Sequence, residues 1–353
     1  MKLNPPLLAL AAGAFGIGVT EFAPMGLLPV IATDLGVSIP SAGLLISAYA
    51  LGVMLGAPLM TLTTGRVPRR TLLIGLAVIF TAGNLLAAIS DSYGMLLAAR
   101  VVTSLNHGAF FGVGSIVAAG LVPPNRQAGA VAAMFMGLTI ANVVGVPLAT
   151  WAGDALGWRA SFWGIAGVGV IAALRLTLPN LPAPSGGDGI AELRALGRGP
   201  VLAALALTVI GSSAMFTVFT YIAPILRDAT HASVGFITAM LVTYGLGLTV
   251  GNWLGGKFAD RSVEGVASFA LVPPLQVRVM AAASDAPNLA SSVNIGAFNL
   301  GNAIGAALGG AVIAGGLGYP AVSLAGAGAA GLGLLLVLVL ARRGASTPVP
   351  AAG

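Results

Sequence analysis

The first long apolar run, Leu7 to Ile31, constrains this chain more than any other stretch. Its 25 residues make a helix of about 37 Å at 1.5 Å per residue, enough to cross a bilayer core of about 30 Å. Inside the run stands one ionisable side chain, Glu21. A charge at the centre of a spanning helix costs roughly 2.5–3.5 kcal/mol on insertion scales. Such a residue therefore faces a water-filled cavity or a partner and marks an ion or substrate path.

Further apolar spans follow at Ala42–Thr63, Thr71–Ser90, Gly94–Val122, Ala128–Trp151 and Ala160–Leu178. After a polar segment come Val201–Leu226, Val234–Leu254, a short piece Gly265–Leu275, then Ala290–Gly316 and Ala321–Leu340. The pattern predicts an all-α polytopic membrane protein with ten full transmembrane helices plus a short stub. Charged residues make up only 7% of the chain, against about 25% in soluble domains, which excludes a water-soluble fold. Gly supplies 51 of 353 residues without a collagen period, as close helix packing in a membrane requires. The start, MKLNPP before an apolar run, is similar to a signal peptide, but the spans that follow make it a retained first helix.

Charge placement orients the chain. Lys2, Arg66, Arg69, Arg70, Arg126, Arg194, Arg198 and every Lys or Arg from Lys257 to Arg343 fall on one side, while only Arg159 and Arg227 lie in loops on the other. The bias places both termini on the cytoplasmic side of the membrane. The formal charge of +6 is scattered between apolar spans, which speaks against a nucleic-acid partner. Cys is absent and His occurs twice. That leaves no disulfide, no thiolate nucleophile and no metal centre, and no cofactor is implied.

The chain repeats itself. Tyr49 to Gly56 (YALGVMLG) matches Tyr244 to Gly251 (YGLGLTVG) at an offset of 195, which also pairs Pro29 with Pro224 and Arg66 with Arg261. Leu121 to Pro124 (LVPP) matches Leu271 to Pro274 at an offset of only 150. The second half has therefore lost about 45 residues, the difference of the two offsets. Parallel repeats of six helices are a transporter plan. The expected organisation is an N-terminal six-helix half at 1–180 and a cytoplasmic linker at 181–199. A C-terminal half at 200–341 lacks its third helix and most of its fourth, and a cytoplasmic tail follows at 342–353.

Glu21 is the proposed proton site, and its repeat mate is Phe216, so the symmetry breaks there. Arg100 lies at similar depth on the fourth span and could influence its ionisation; the alternative is an arginine snorkelling to the outer headgroups. Asn106 and His107 follow on the same span. Together with Asn142 and Tyr221 they are candidates for the substrate cavity, or for hydrogen-bonded glue between helices. Asn294, Asn299 and Asn302 are weaker candidates of the same kind. Gly137, Gly145, Pro147 and Gly153 make the fifth span rich in Gly and Pro, which predicts a bend and a close-approach surface.

No GxxxxGK(S/T) phosphate loop is present, because Gly255-Gly-Lys257 is followed by Phe. Ser115 lies two helical turns from His107, too far for an activated nucleophile. An ATP-driven pump and an enzyme are thus disfavoured, and no channel filter is visible.

The stretches RVVTSLNHGAFFGVGS from Arg100, GLTIANVVGVPLATWAG from Gly137, GVTEF around Glu21 and GGKFADRS at 255–262 resemble the major facilitator superfamily. Within it they are similar to the twelve-helix drug:proton antiporter branch and its arabinose-efflux-like group. The resemblance implies two rocking halves around a central cavity and export of a small molecule by a monomer, driven by inward proton flow. It makes Arg100 the fourth-helix arginine and Glu21 the first-helix acid, and Gly137 to Gly153 the antiporter motif. The cytoplasmic gating motif is matched by Gly256, Asp260 and Arg261. In the first half Arg66, Arg69 and Arg70 keep its basic residues without the aspartate. The missing residues correspond to the family's ninth helix and most of its tenth. The alternative to an active carrier is therefore a truncated relic that inserts and moves nothing.

Overall fold

The computed structural model describes residues 5–64, 67–123, 127–175, 194–259, 275, 279–280, 282–283 and 285–345. All regular structure among them is helical. In chain order the helices are α1 Pro5–Asp34, α2 Ile39–Thr63, α3 Arg69–Ala88, α4 Tyr93–Gly120, α5 Gln127–Ile140, α6 Val146–Leu156, α7 Trp158–Arg175, α8 Gly199–Phe219, α9 Val234–Ala259, α10 Pro287–Ala314 and α11 Tyr319–Ala345. A π-helical turn, Ala141–Gly145, joins α5 to α6 into one span, and a second, Ile225–Ala229, follows the short helix Ile222–Pro224 beyond α8.

Among the described residues, eight helical runs are long and apolar enough to cross a membrane. The remaining two of the ten expected places hold α7 and α9. The expected stub at 265–275 lies outside the described residues apart from Leu275, and so does most of the 181–199 linker.

Local chemistry sets the helix ends. Ser38 caps α2 by accepting from the Ser41 amide at 3.2 Å, with Pro40 in the first turn. Ser92 caps α4 through the Met95 amide, as hydroxyl N-caps do. Between α6 and α7 the link is Gly157 alone, at φ +87°, a conformation open to glycine. The turn Ala141–Gly145 has its cause in Pro147. Proline lacks an N–H and its ring crowds the carbonyl four residues back, so the helix widens there.

The helices before residue 176 enclose a core of their own, with Leu10, Leu73, Leu76, Phe162 and Trp158 buried in it. A second core crosses the molecule. Phe22, Met25 and Leu28 of α1, with Ile46 of α2, meet Phe216, Phe219, Tyr221, Ile237 and Leu241 from beyond residue 199. The broadest interfaces in this part set α10 against α2 and α8. α9 packs mainly on α6 and the 141–145 turn rather than on its sequence neighbours.

Successive antiparallel spans give two faces, one carrying Pro5 and the other Asp34. On the Asp34 face, Arg159 pairs with Asp34 at 2.6 Å and Arg227 with Asp154 at 3.3 Å, and the Tyr319 hydroxyl donates to Asp228 at 2.7 Å. The two loop arginines on that face are thus matched by its acids, and the Arg227–Asp154 pair ties α6 to the segment after α8.

Candidate functional site: a cavity with a buried carboxylate

A cavity of about 490 Å³ lies between the two groups of helices, within the size range of small-molecule sites. Phe22, Phe216, Phe219 and Tyr244 wall it on the Asp34 side, with Phe219 stacked on Tyr244 at a centroid distance of 4.0 Å. From there it extends toward the Pro5 face, where Thr208, Asn294 and Leu275 line it.

Glu21 reaches this cavity from α1 and is buried. Its Oε2 is 3.9 Å from Nδ1 of His107, which comes from α4 and lines the same wall. Oε1 has no hydrogen-bond partner. The Tyr49 hydroxyl is 3.1 Å from the same His107 Nδ1, and the Arg100 guanidinium lies 4.1 Å over the Tyr49 ring. Arg100 is almost fully buried and does not snorkel: Nη1 donates to the Thr20 carbonyl at 2.7 Å, while Nε and Nη2 have no partner. Thr20 is in turn hydrogen-bonded to Asn84, whose amide donates to the Phe80 carbonyl at 2.8 Å. Four ionisable groups, Glu21, Tyr49, Arg100 and His107, are therefore gathered in apolar surroundings with hydrogen-bonding capacity to spare. Such concentration is characteristic of functional sites.

Other expected positions separate. Asn142 lines the cavity from the π turn, its amide donating to the Leu138 carbonyl at 3.0 Å. Asn106 sits behind the wall, donating to the Thr103 carbonyl at 2.7 Å with Oδ1 unpartnered. Tyr221 does not line the cavity. Its hydroxyl donates to the Ala306 carbonyl at 2.8 Å in the seam between α2 and α10, where a Cβ on Gly43 would meet it at 2.2 Å. Its polar end, suited to a ligand, is used as the helix glue that the sequence also allowed.

The fifth-span glycines form one surface against α1. A Cβ at Gly137 would lie 2.0 Å from the Ala11 carbonyl oxygen, at Gly145 2.3 Å from Val19, and at Gly153 2.2 Å from Leu27. Close approach of the helix that carries Glu21 thus depends on them, and Pro147 supplies the turn between. Arg69 and Arg70 open α3 on the Pro5 face, and Gly256 lies near the end of α9. Arg66, Asp260 and Arg261 of the gating motif lie outside the described residues.

Asn299, a weaker candidate in the sequence, lines the cavity, and Tyr49 is an addition that the residue-by-residue reading missed. Tyr49 stood in plain view as the first residue of the internal repeat, opposite Tyr244. A repeat that begins with the same buried phenol twice is a signal worth reading as chemistry.

Comparison with known proteins agrees with this architecture. Residues 10–272 match the sequence profile of the Major Facilitator Superfamily. The chain is 56% identical to the inner membrane transport protein YdhP of Escherichia coli K12, covering 93% of each chain. That alignment runs over 363 positions but uses 93% of 353 residues, about 328, so about 35 positions find no residue here. A chloramphenicol resistance protein of Streptomyces lividans is 34% identical, over 85% of this chain and 87% of that one. Among solved structures, an inward-facing, unoccupied bacterial homologue of the human lysosomal transporter Spinster superposes with a TM-score of 0.63. It shares 18% identity and covers 94% of this chain and 78% of its own. With a cavity set between two helix groups and a profile match over most of its length, the chain belongs to the Major Facilitator Superfamily of membrane transporters.

Proposed function

We propose that this transporter is a proton antiporter that exports a small molecule across the inner membrane as a monomer, with Glu21 as its proton site and both termini cytoplasmic. The observation that carries the reading is a buried carboxylate that opens into the central cavity with one oxygen unpartnered. A ligand that donates a hydrogen bond to Glu21 binds its ionised form. A proton on the same carboxylate turns one oxygen into a donor and weakens the other as an acceptor, so ligand and proton oppose each other's binding, which is the linkage that exchange requires. Tyr49 from α2 and Arg100 and His107 from α4 face this group and set the field in which it ionises. The cavity extends toward the Pro5 face and is walled by aromatic rings on the other. With Pro5 cytoplasmic, this is the inward-facing state of alternating access, and the Asp34–Arg159 and Asp154–Arg227 pairs lie on the closed outer face.

The second reading is the inactive relic. It is favoured by the unmatched positions in the YdhP alignment. Efflux of a compound panel from an export-deficient host expressing the intact chain decides between them. Export that stops when an uncoupler collapses the proton gradient supports the antiporter. Correctly inserted protein that exports nothing supports the relic, and export indifferent to the gradient overturns both.

A further inference from the structure

The polar groups around the cavity share a directional bias. Ser212 donates its hydroxyl to the Thr208 carbonyl at 2.6 Å, and Thr249 donates to the Gly245 carbonyl at 2.8 Å. Thr208 donates to Asn294 Oδ1 at 2.8 Å. Asn142 and Asn299 each turn Nδ2 back to the carbonyl four residues earlier at 3.0 Å, which engages one of the two N–H groups of each amide. Each hydroxyl has a single proton and spends it within the protein, so what remains for a guest is its lone pairs. Asn299 is fully buried with Oδ1 unpartnered, and Glu21 Oε1 is unpartnered too. The Tyr244 hydroxyl has no partner and can accept as well as donate. No Lys or Arg lines the cavity among the described residues. Arg100 is held behind the wall by the Thr20 carbonyl and the Tyr49 ring.

We infer that the cavity selects its substrate by the substrate's hydrogen-bond donors. It takes hydroxyl- or amino-bearing molecules with an apolar ring or body, bound through Glu21, Asn299 and Tyr244, and rejects anions. The inference rests on the cavity being the carrier's binding site. Phe22, Phe111, Phe135, Phe216 and Phe298 supply the wall against which the apolar body packs. An anion meets a carboxylate and carbonyl-like oxygens with no cation to offset them. A ligand carrying acceptors alone leaves those same oxygens dehydrated and unpaired, the expensive outcome for buried polar groups.

The test is equilibrium binding to the purified full-length chain in detergent, with no gradient imposed. The probes are phenyl β-D-glucopyranoside, its fully O-methylated ether and phenyl β-D-glucuronide, which share one frame and differ in donors and charge. The glucoside should bind at least about tenfold more tightly than either of the others. Asn299→Leu and the near-isosteric Tyr244→Phe should each weaken glucoside binding several-fold to about tenfold while leaving the residual binding of the ether unchanged. Thermal unfolding of both variants checks that they fold. Equal binding of the ether or the glucuronide, no binding of the glucoside, or unchanged selectivity in folded Asn299→Leu would each overturn the inference. Donor-selective binding without any proton-driven export would uphold it and refute the antiport reading alone.

Discussion

The helices before residue 176 and those after 194 are held together by different means. The first group surrounds a large core built from α1, α3, α4 and α7, in which Trp158 and Phe162 meet edge to face. The second has a small core of its own, Val201, Ala204, Val279, Ala283 and Ala290. Most of its large buried side chains, Phe216, Phe219 and Tyr221 among them, are buried against α1 and α2 instead. A group of helices with a small core of its own keeps its place by burying its large side chains against a neighbour. The consequence for a carrier is direct: the seam that must loosen during transport is also the seam that stabilises the smaller group.

That contrast can be broken at several points. Phe216→Ala removes a fully buried ring from the shared core and should cost about 3–5 kcal/mol. In limited proteolysis the helices after 194 should be cleaved first while the fragment before 176 persists. Simultaneous loss of both would show that the two groups are equally self-sufficient. Val201→Ala, in the small core, should cost only about 1–2 kcal/mol at roughly 0.8 kcal/mol per buried methylene, read as a shift in thermal unfolding. A loss as large as that of Phe216→Ala would mean that the small core matters more than its size implies. Arg227→Gln breaks the part-exposed pair with Asp154 across the seam. No more than about 1 kcal/mol of stability should follow, but cysteines placed in pairs across the Asp34 face should crosslink less often.

The smallest effect concerns Arg198 and Asp285 on the Pro5 face, joined by two hydrogen bonds of 2.8 and 2.6 Å. The guanidinium holds the Asp285 carboxyl below the usual aspartate range, chiefly through these bonds. A carboxyl whose folded value is depressed stabilises the fold above its unfolded value, and that contribution disappears as pH falls through the folded one. Arg198→Ala should therefore lower stability slightly at neutral pH and not at all in strong acid. An equal loss at both would assign Arg198 a packing role.

Much of this was readable in the residues, and the boundary is instructive. Span positions follow from hydropathy, since only helices satisfy their backbone in a bilayer, and the observed helical runs begin close to where they are expected, with the longest overruns at Leu156, Ala259 and Ala345. Glu21, Arg100 and His107 stand out because ionisable groups are rare in such helices. What could not be read is which way an uncharged polar side chain turns. A span that is apolar all round carries no amphipathic stripe to mark the cavity side, so Tyr221 and Asn106 looked as eligible as Asn142. Only packing separated them, with Tyr221 taken by the Ala306 carbonyl and Asn106 by that of Thr103. The aromatic wall of Phe22, Phe216 and Phe219 was equally hidden, because a phenylalanine in an apolar span announces nothing.

The central claim is that Glu21 carries the exchanged proton. Efflux driven by an imposed proton gradient, in vesicles containing either the parent chain or Glu21→Gln at matched membrane levels, tests it most directly. The glutamine variant should insert normally and lose gradient-driven efflux altogether. Undiminished gradient-driven efflux from that variant would contradict it.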